Sequence, residues 1–438
     1  MLAKRSLAHE LVQEHFGVID GELAIGGMRA SALADTFGTP LFVYDAAIVR
    51  KNLRQLRTAL GSGIDVYYSI KANPNPRIVR IFVQEQAGLE IASAAEYVRA
   101  RRAGGTPDKI VFAGPGKTIE ELDFVVGQGI AEIHLESMEE IERVAEVGRR
   151  HRRTVPVALR INPQASAQGG AMRMGGKPAQ FGFDEETLDD VVKFVRARPD
   201  LNLCGVHLFA GTQILNADVL LTQWAHAIEV ARRVAGLSGR RLTTIDVGGG
   251  LGIPYFTGEQ SLDLSRIAAG AERLRASIAA DPALAGARII LEPGRFLAGP
   301  AGVYLSRVQS IKQSRGTTFV VLDGGMHHHL AASGNLGQVI KRDYPQLIAN
   351  KVAAAAQMSA VVVGPLCTPL DTIGRNVELP QAAVGDIVAI LQSGAYALTA
   401  SPSGFLSHPM PAEVLVENGS AELIRPRGTF EQPITPLP

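Results

Sequence analysis

The segment Asp65-Val-Tyr-Tyr-Ser-Ile-Lys71-Ala-Asn-Pro74 is a short apolar run that is halted by Pro74 and Pro76. Its composition is typical of a buried strand that carries Lys71 at its carboxyl end. Because removing an ammonium group from water costs several kcal/mol, a lysine in such a place has a nucleophilic amine. We expect either a lysine that forms a Schiff base, or one whose stem lies on apolar surface while its head reaches water.

A regular alternation of apolar runs and helix-like stretches begins at this segment. The runs occupy residues 65–72, 88–93, 109–114, 132–137, 156–161, 203–211, 243–250 and 288–294. Eight parallel strands with crossover helices are what a closed (β/α)8 TIM barrel needs. An open doubly wound sheet is the alternative, but no Gly-x-Gly-x-x-Gly loop follows the first run. We predict an α/β fold with a barrel over residues 41–296.

After the barrel the pattern changes to strands with short connections. These lie at residues 303–311, 318–324, 359–367, 386–396 and 413–425. They predict a C-terminal antiparallel β domain over residues 297–425, which the N-terminal segment 1–40 joins, followed by a tail at 426–438. The stretch 164–180 is too long for an ordinary loop of a barrel and is expected to be a lid over its mouth.

Charge and cysteine content exclude several classes of protein. Lys+Arg 44 and Asp+Glu 43 nearly cancel, and no basic run is interleaved with aromatic residues, so neither nucleic acid nor a membrane is an expected partner. Cys204 and Cys367 are too few for a disulfide framework. Residues 1–16 lack the apolar core of a signal peptide, so we predict a cytoplasmic protein.

Polar residues at the carboxyl ends of barrel strands meet on one face. Here that face carries Lys71, His207, Gly248-Gly249-Gly250 and Glu292-Pro293-Gly294-Arg295. The triple glycine allows backbone N–H groups to approach a phosphate, although a tight turn that needs positive φ is the alternative. A Schiff-base lysine with a phosphate site indicates pyridoxal phosphate chemistry or an aldolase that holds a phosphorylated sugar. Glu292 favours the first, because a carboxylate beside the pyridine nitrogen keeps that nitrogen protonated.

Six motifs lie in order along the chain: Tyr-Ser-Ile-Lys71-Ala-Asn, Asp-Val-Gly248-Gly-Gly-Leu-Gly252, Glu292-Pro-Gly-Arg295, Asp323-Gly-Gly-Met326, Gly-Pro-Leu-Cys367 and Gly-Ala-Tyr396. Together they resemble the fold type III pyridoxal phosphate-dependent decarboxylases, the family of diaminopimelate, ornithine and arginine decarboxylases. The resemblance implies an alanine racemase-like barrel with a C-terminal β domain, and a pyridoxal 5'-phosphate-dependent amino-acid decarboxylase.

The resemblance also implies a head-to-tail homodimer with shared active sites, in which Cys367 and Tyr396 enter the partner's site. Lys71 would hold the cofactor as a Schiff base and His207 would stack on its ring, while Gly248–Gly250, Glu292–Arg295 and Tyr396 would bind it. Cys367 would protonate the α-carbon after carbon dioxide leaves. The implied substrate contacts are Arg295, Asp323, Thr368 and Tyr396. A buried thiol for Cys367, core packing for Tyr396, and a non-catalytic cofactor-binding protein remain alternatives.

Two departures from the family bear on the substrate. Diaminopimelate decarboxylases have a glutamate after the cysteine, which reads the distal ammonium of the substrate, whereas Thr368 stands here. Their Arg-Pro-x-x-Tyr segment, which binds the distal carboxylate, has no counterpart in His-His-His-Leu-Ala-Ala-Ser-Gly-Asn at 327–335. We therefore expect an amino acid other than meso-diaminopimelate, or an aminoacyl group on an acyl-carrier protein, with Thr368, Ser333 and Asn335 reading its far end. Adjacent histidines on a strand point to alternate faces, so no metal site is predicted.

Overall fold

The computed structural model describes residues 6–164, 172–173, 178–209, 211–338 and 340–437. The chain forms two compact units. The barrel unit is Asn52–Ile253 with Ser261–Phe296, and the β unit comprises the chain up to Lys51, the segment Pro254–Gln260 and the chain from Leu297 onward. Most of the expected lid, 165–171 and 174–177, lies outside the described residues.

Four short strands precede the barrel: β1 Gly17–Ile19, β2 Glu22–Ile25, β3 Met28–Arg29 and β4 Leu41–Asp45. The next eleven strands are β5 Ile64–Ser69, β6 Gly88–Ile91, β7 Ile110–Phe112, β8 Glu132–Leu135, β9 Val155–Asn162, β10 Met172–Arg173, β11 Phe183–Asp184, β12 Leu201–Leu208, β13 Gly211–Thr212, β14 Thr244–Asp246 and β15 Arg288–Leu291. Eight of them pair in parallel in the order β5-β6-β7-β8-β9-β12-β14-β15, and β15 pairs with β5. The predicted closed barrel is therefore confirmed, because each of the eight apolar runs forms one of its strands.

Two helices precede the barrel in the β unit, and most of the others alternate with the strands of the barrel. They are α1 Leu7–His15, α2 Ala30–Phe37, α3 Ala46–Leu60, α4 Pro76–Gln84, α5 Ala94–Arg102, α6 Ile119–Gln128, α7 Met138–His151, α8 Leu188–Arg196, α9 Ala217–Ser238, α10 Leu264–Ala279 and α11 Arg295–Ala298. Side-chain caps set several helix starts: Ser93 and Ser137 accept hydrogen bonds from the third residue of α5 and α7. Thr118 and Glu121 form a capping box at the start of α6. These capped helices begin three to seven residues after the last residue of the preceding strand, which leaves the carboxyl ends of the strands open for functional side chains.

The β unit contains one large mixed sheet and a separate three-stranded antiparallel sheet, β1-β2-β3. Its strands after the barrel are β16 Gly302–Ser314, β17 Thr317–Leu322, β18 Gln346–Ile348, β19 Met358–Val363, β20 Thr372–Leu379, β21 Ile387–Ile390, β22 Ala412–Glu417 and β23 Ser420–Arg425. Most of its pairings are antiparallel, as predicted, but β17 pairs with β19 in parallel and β4 with β22 in parallel. The apolar interior is continuous from the N-terminal helices to the sheet and includes Leu11, Leu33, Val303 and Val414.

Several predicted strand limits in the β unit are wrong. The run 413–425 is a hairpin rather than one strand, because Asn418 and Gly419 have positive φ and turn the chain. Strand β19 ends at Val363, before Cys367, and β21 ends at Ile390, before Tyr396. β18 and β20 have no counterpart in the prediction.

The segment 1–40 belongs to the β unit, but its strands form the separate sheet β1-β2-β3. The strand that follows the segment, β4, lies in the large sheet between β16 and β22. The predicted boundary at residue 41 differs from the grouping of the structure, in which β4 belongs to the β unit. Hydrogen bonding to β16 and β22 decides this placement, and the sequence of β4 alone does not reveal it. Among the described residues, no helix combines the length and the apolar character needed to cross a bilayer.

Candidate active site

Lys71 lies in a single 3-10 turn directly after β5. Its side chain is 47% exposed, and its Nζ lies 3.0 and 3.1 Å from the two carboxylate oxygens of Glu90 on β6. Glu90 is buried and also accepts a hydrogen bond from Ser69 Oγ at 2.5 Å. Burial alone would raise the pKa of Glu90, but the ammonium of Lys71 and the hydrogen bonds from Ser69 and Lys71 hold that pKa below its usual value. The expected desolvation of Lys71 is wrong: its amine is accessible, and a carboxylate balances its charge.

The glycine loop after β14 packs backbone against backbone. Gly248 and Gly250 have φ of +68° and +92°, a region that favours glycine. A Cβ on Gly249 would lie 2.3 Å from the carbonyl oxygen of Glu292, and one on Gly294 would lie 2.8 Å from Ala72 Cβ. The loops after β14, β15 and β5 therefore approach more closely than any side chain would allow, next to Lys71.

Pro293 and Arg295 continue the loop after β15. The carbonyl oxygen of Pro293 accepts a hydrogen bond from Ser69 N at 3.4 Å, which ties this loop to β5 two residues before Lys71. Arg295 is the first residue of α11 and is half-buried. The structure thus brings the two motifs Glu292–Arg295 and Ser69–Lys71 together at one edge of the barrel.

Four buried side chains converge behind these loops: His134, His207 and Asp246 from three strands, and Glu292 from the residue after β15. One polar atom of each lies within 4.8 Å of the others. Asp246 accepts a hydrogen bond from Gly248 N at 2.8 Å, so the cluster is linked to the glycine loop. Burial raises the pKa of Asp246 to about 7, and burial together with the nearby charge of Asp246 raises the pKa of Glu292 well above its usual range. Two buried carboxyl groups this close repel each other when both are ionised, so one of them holds a proton at neutral pH.

His207 lies between His134 and Glu292. Its Nδ1 is 2.8 Å from His134 Nδ1, and its Nε2 is 3.4 Å from Glu292 Oε2. Burial, and then the neighbouring His134 and Arg160, lower the pKa of His207 well below its usual value, so the ring is neutral. The separation of the two Nδ1 atoms is a hydrogen-bond distance and is shorter than the roughly 3.4 Å between two nitrogens on one tetrahedral zinc ion.

Glu132 and His134 are functional candidates that the sequence analysis missed. His134 Nε2 lies 3.2 Å from Glu132 Oε1, and both side chains are buried. A signal existed in the sequence: in Glu132-Ile133-His134 two polar residues alternate with an apolar one inside a barrel strand, which places both on the same face. Their partners come from strands far away in sequence, so the cluster itself was not visible.

The remaining predicted residues belong to the β unit. The carboxylate of Asp323 accepts hydrogen bonds from Thr39 Oγ1 at 2.5 Å, Ser306 Oγ at 2.7 Å and Arg307 N at 2.8 Å. These three donors come from three separate segments of the unit. Asp323 therefore connects these segments of the β unit, in addition to its predicted role as a substrate contact.

Cys367 lies in the loop between β19 and β20 and is exposed, so the alternative of a buried thiol is wrong. Asp371 holds this loop in place. Its carboxylate accepts a hydrogen bond from Leu366 N at 2.9 Å and another from Met326 N at 2.6 Å. Thr368 Oγ1 accepts a longer hydrogen bond from Leu370 N, at 3.3 Å.

Tyr396 is half-buried and has φ of +53°. A residue other than glycine in this region costs on the order of 1 to 3 kcal/mol, and such residues concentrate at functional sites. Core packing alone does not explain why a bulky residue occupies this turn.

The three adjacent histidines lie in a turn after β17, and the assumption that they are on a strand is wrong. All three are buried, and they take different partners: the ring of His327 packs against His408, His328 Nδ1 lies 3.1 Å from Tyr304 OH, and His329 Nε2 lies 3.0 Å from Ser393 Oγ. Their positions are explained by packing within the β unit.

The two polar residues at the end of the same segment also contact each other. Asn335 Nδ2 donates to Ser333 Oγ at 2.6 Å and to Leu370 O at 3.1 Å, while Asn335 Oδ1 accepts from Lys341 Nζ at 2.6 Å. Both polar ends of the Asn335 amide are thus used within the β unit, which leaves it little capacity to read a substrate.

Comparison with known proteins agrees with this geometry. Residues 46–299 match the family model of the pyridoxal-dependent decarboxylases, pyridoxal binding domain. The chain belongs to the pyridoxal-dependent decarboxylase family. It is 40% identical over 404 residues to the L-glutamyl-[BtrI acyl-carrier protein] decarboxylase of Niallia circulans, covering 92% of this chain and 94% of the other.

Diaminopimelate decarboxylases are also similar to this decarboxylase. The enzyme of Aquifex aeolicus is 31% identical over 421 residues, covering 95% and 96% of the two chains. The crystal structure of diaminopimelate decarboxylase from M. jannaschii in complex with L-lysine superposes with a TM-score of 0.87 at 28% identity, covering 95% and 96%. The predicted fold and the use of pyridoxal phosphate are thereby confirmed.

The residues of the barrel unit fit this cofactor. Glu292 Oε1 and His207 Nε2 are buried and have no hydrogen-bond partner among the described residues. Next to them lie the close-packed glycine loop and the accessible amine of Lys71. An aldehyde for the amine, a basic ring nitrogen for the carboxyl group and a phosphate for the loop are what these groups can bind.

Proposed function

We propose that this pyridoxal phosphate-dependent decarboxylase acts on an aminoacyl group whose far end is carried out of the active site, such as one attached to an acyl-carrier protein. The observation that carries the proposal is that this chain lacks the charged residues that would bind a distal ammonium and a distal carboxylate. Thr368 follows the cysteine, and residues 327–335 contain no acidic residue, lysine or arginine. Diaminopimelate would leave its distal charges desolvated and unpaired in such a site. The similarity to a decarboxylase of a carrier-bound glutamyl group supports the same substrate class.

The barrel unit would bind and orient the cofactor. When bound, pyridoxal phosphate supplies the electron sink that accepts the electron pair left on the α-carbon when carbon dioxide departs. Lys71 would hold the cofactor covalently, and Glu90 would keep the amine near the mouth of the barrel. N–H groups of Gly248–Gly250, with Arg295, would bind the phosphate, while Glu292 would hold a proton at the pyridine nitrogen and His207 would pack against the ring.

The β unit would supply the proton that completes the reaction. Cys367 Sγ would deliver it to the α-carbon, and Tyr396 would contact the cofactor. Because Cys367 is exposed on the single chain, we propose that it acts in the site of a second copy in a head-to-tail homodimer. A cytoplasmic location stays a prediction.

The alternative function is meso-diaminopimelate decarboxylation, which similarity to several diaminopimelate decarboxylases favours. The two proposals differ in what must be bound beyond the α-carbon. A panel that measures carbon dioxide release from free amino acids, meso-diaminopimelate and aminoacyl groups on a carrier protein separates them. We expect the free diamino acid to be processed at least tenfold less efficiently than the best substrate, or about 1.4 kcal/mol. Efficient turnover of diaminopimelate, with rescue of a lysine auxotroph, would contradict our proposal.

Hybrid dimers test the shared site. Cys367→Ala and Lys71→Ala should each be inactive, and Cys367→Ala should still bind the cofactor and be yellow. Refolding the two together in equal amounts should restore about one quarter of the wild-type activity, because half of the dimers then contain one intact site out of two. Hybrids that form but stay inactive would show that the cysteine acts within its own chain or not at all.

A further inference from the structure

Glu132 and His134 form a buried chain of contacts that leads to His207. The two residues project from the same face of β8, and His134 is fully buried. Glu132 Oε1 lies 3.2 Å from His134 Nε2, and His134 Nδ1 lies 2.8 Å from His207 Nδ1. Burying a carboxylate in the barrel is costly, and a hydrogen bond to His134 offsets part of that cost.

The positions of the protons in this chain follow from the chemistry of the groups. An ionised carboxylate only accepts hydrogen bonds, so His134 Nε2 must donate to Glu132. In a neutral ring the other nitrogen, His134 Nδ1, then carries no proton and accepts a hydrogen bond through its lone pair. Two ring nitrogens 2.8 Å apart share a single proton, so that proton belongs to His207 Nδ1. His207 Nε2 is left with a lone pair, 3.4 Å from Glu292 Oε2.

We propose that Glu132 and His134 are positioning residues that fix His207 in the tautomer with its proton on Nδ1. This orientation prevents His207 from donating to Glu292. The proton between these groups is then kept on the carboxyl pair Glu292 and Asp246, where burial also favours it. The inference rests on the proposed function in one respect, since that function assigns His207 and Glu292 to the cofactor ring.

The variant Glu132→Gln tests the tautomer directly. A carboxamide is nearly the same size as the carboxylate, but it can donate as well as accept. It therefore permits the reverse arrangement, in which His134 Nδ1 donates and His207 carries its proton on Nε2. Nitrogen NMR of the cofactor-free protein labelled with 15N-histidine distinguishes the two tautomers, and His207→Gln identifies the signals of His207.

We expect the wild-type His207 to be protonated on Nδ1 and unprotonated on Nε2. In Glu132→Gln the ratio of the two tautomers should shift at least tenfold toward Nε2–H. A wild-type His207 with its proton on Nε2, or an unchanged ratio in the variant, would overturn the proposal. This measurement needs no bound cofactor, so it decides the inference even if the proposed function fails.

Cofactor binding provides the second readout. Glu132→Gln and His134→Asn should each weaken the binding of pyridoxal phosphate about tenfold and lower kcat more than they raise KM, because His207 loses its fixed orientation. Glu413→Gln is the matched control: Glu413 is also a buried glutamate, paired with Arg425 and Tyr44 in the β unit. It should leave the tautomer ratio and the cofactor affinity unchanged. Equal effects of Glu132→Gln and Glu413→Gln would indicate a purely structural role and refute the assignment.

Discussion

Replacing Asp371 by asparagine should release the loop that carries Cys367. The carboxylate of Asp371 is 2% exposed and connects Met326 N and Leu366 N, at 2.6 and 2.9 Å. The contact is tight, since a Cβ on Gly364 would lie 2.2 Å from its Oδ2. No larger residue could take the place of that glycine without moving the carboxylate.

The cost of Asp371→Asn follows from these contacts. Asparagine has the same shape, but one of its two ends is an NH₂ group that would face a backbone N–H. One charge-assisted hydrogen bond is lost and one buried donor is left unsatisfied, each worth about 1 to 3 kcal/mol. We expect a total loss of about 3 kcal/mol, which lowers Tm by about 6 to 12 °C in a domain of this size.

Two assays measure the consequences, and Asp386→Asn is the control. Asp386 is buried in the same unit and accepts hydrogen bonds from Ala383 N and the side chains of Asn350 and Lys351. Both variants should lose stability, but only Asp371→Asn should change the rate at which iodoacetamide modifies Cys367, followed by peptide mass spectrometry. Equal labelling rates in the two variants, or an unchanged Tm in Asp371→Asn, would refute the assigned role.

Two further predictions concern acid stability and the glycine loop. Burial lowers the pKa of His329 to about 3, so at acid pH the unfolded chain binds a proton that the folded chain excludes. The contribution of such a histidine to the free energy of unfolding is therefore fully present above about pH 6.5. It falls by about 2 kcal/mol between pH 6.5 and 4.5. Urea unfolding at a series of pH values should give a shallower acid loss for His329→Gln, and an unchanged slope would contradict this. Gly249→Ala places a Cβ 2.3 Å from Glu292 O and should weaken cofactor binding at least about tenfold, measured by absorbance titration. Gly236→Ala, in open space on α9, should leave that affinity unchanged.

Local pattern was enough to predict the barrel and the positions of its functional loops. Short apolar runs separated by helices specify parallel strands, and the carboxyl ends of such strands must lie on one face. The sequence pattern alone therefore places Lys71, the triple glycine and Glu292 at the same face of the barrel. The motif around Cys367 was equally readable, because the family pattern lies in consecutive residues.

Only the tertiary structure decided which side chains neutralise each other. His134, His207 and Asp246 meet across the barrel from strands that are distant in the sequence, and their contacts depend on strand register. The same holds for Lys71, whose exposure and pairing with Glu90 replace the desolvation that its sequence suggested. The alternation of apolar and polar residues indicates which face of a strand a residue occupies. Hydrogen bonding and charge pairing instead depend on distances of a few ångströms, which the whole fold determines.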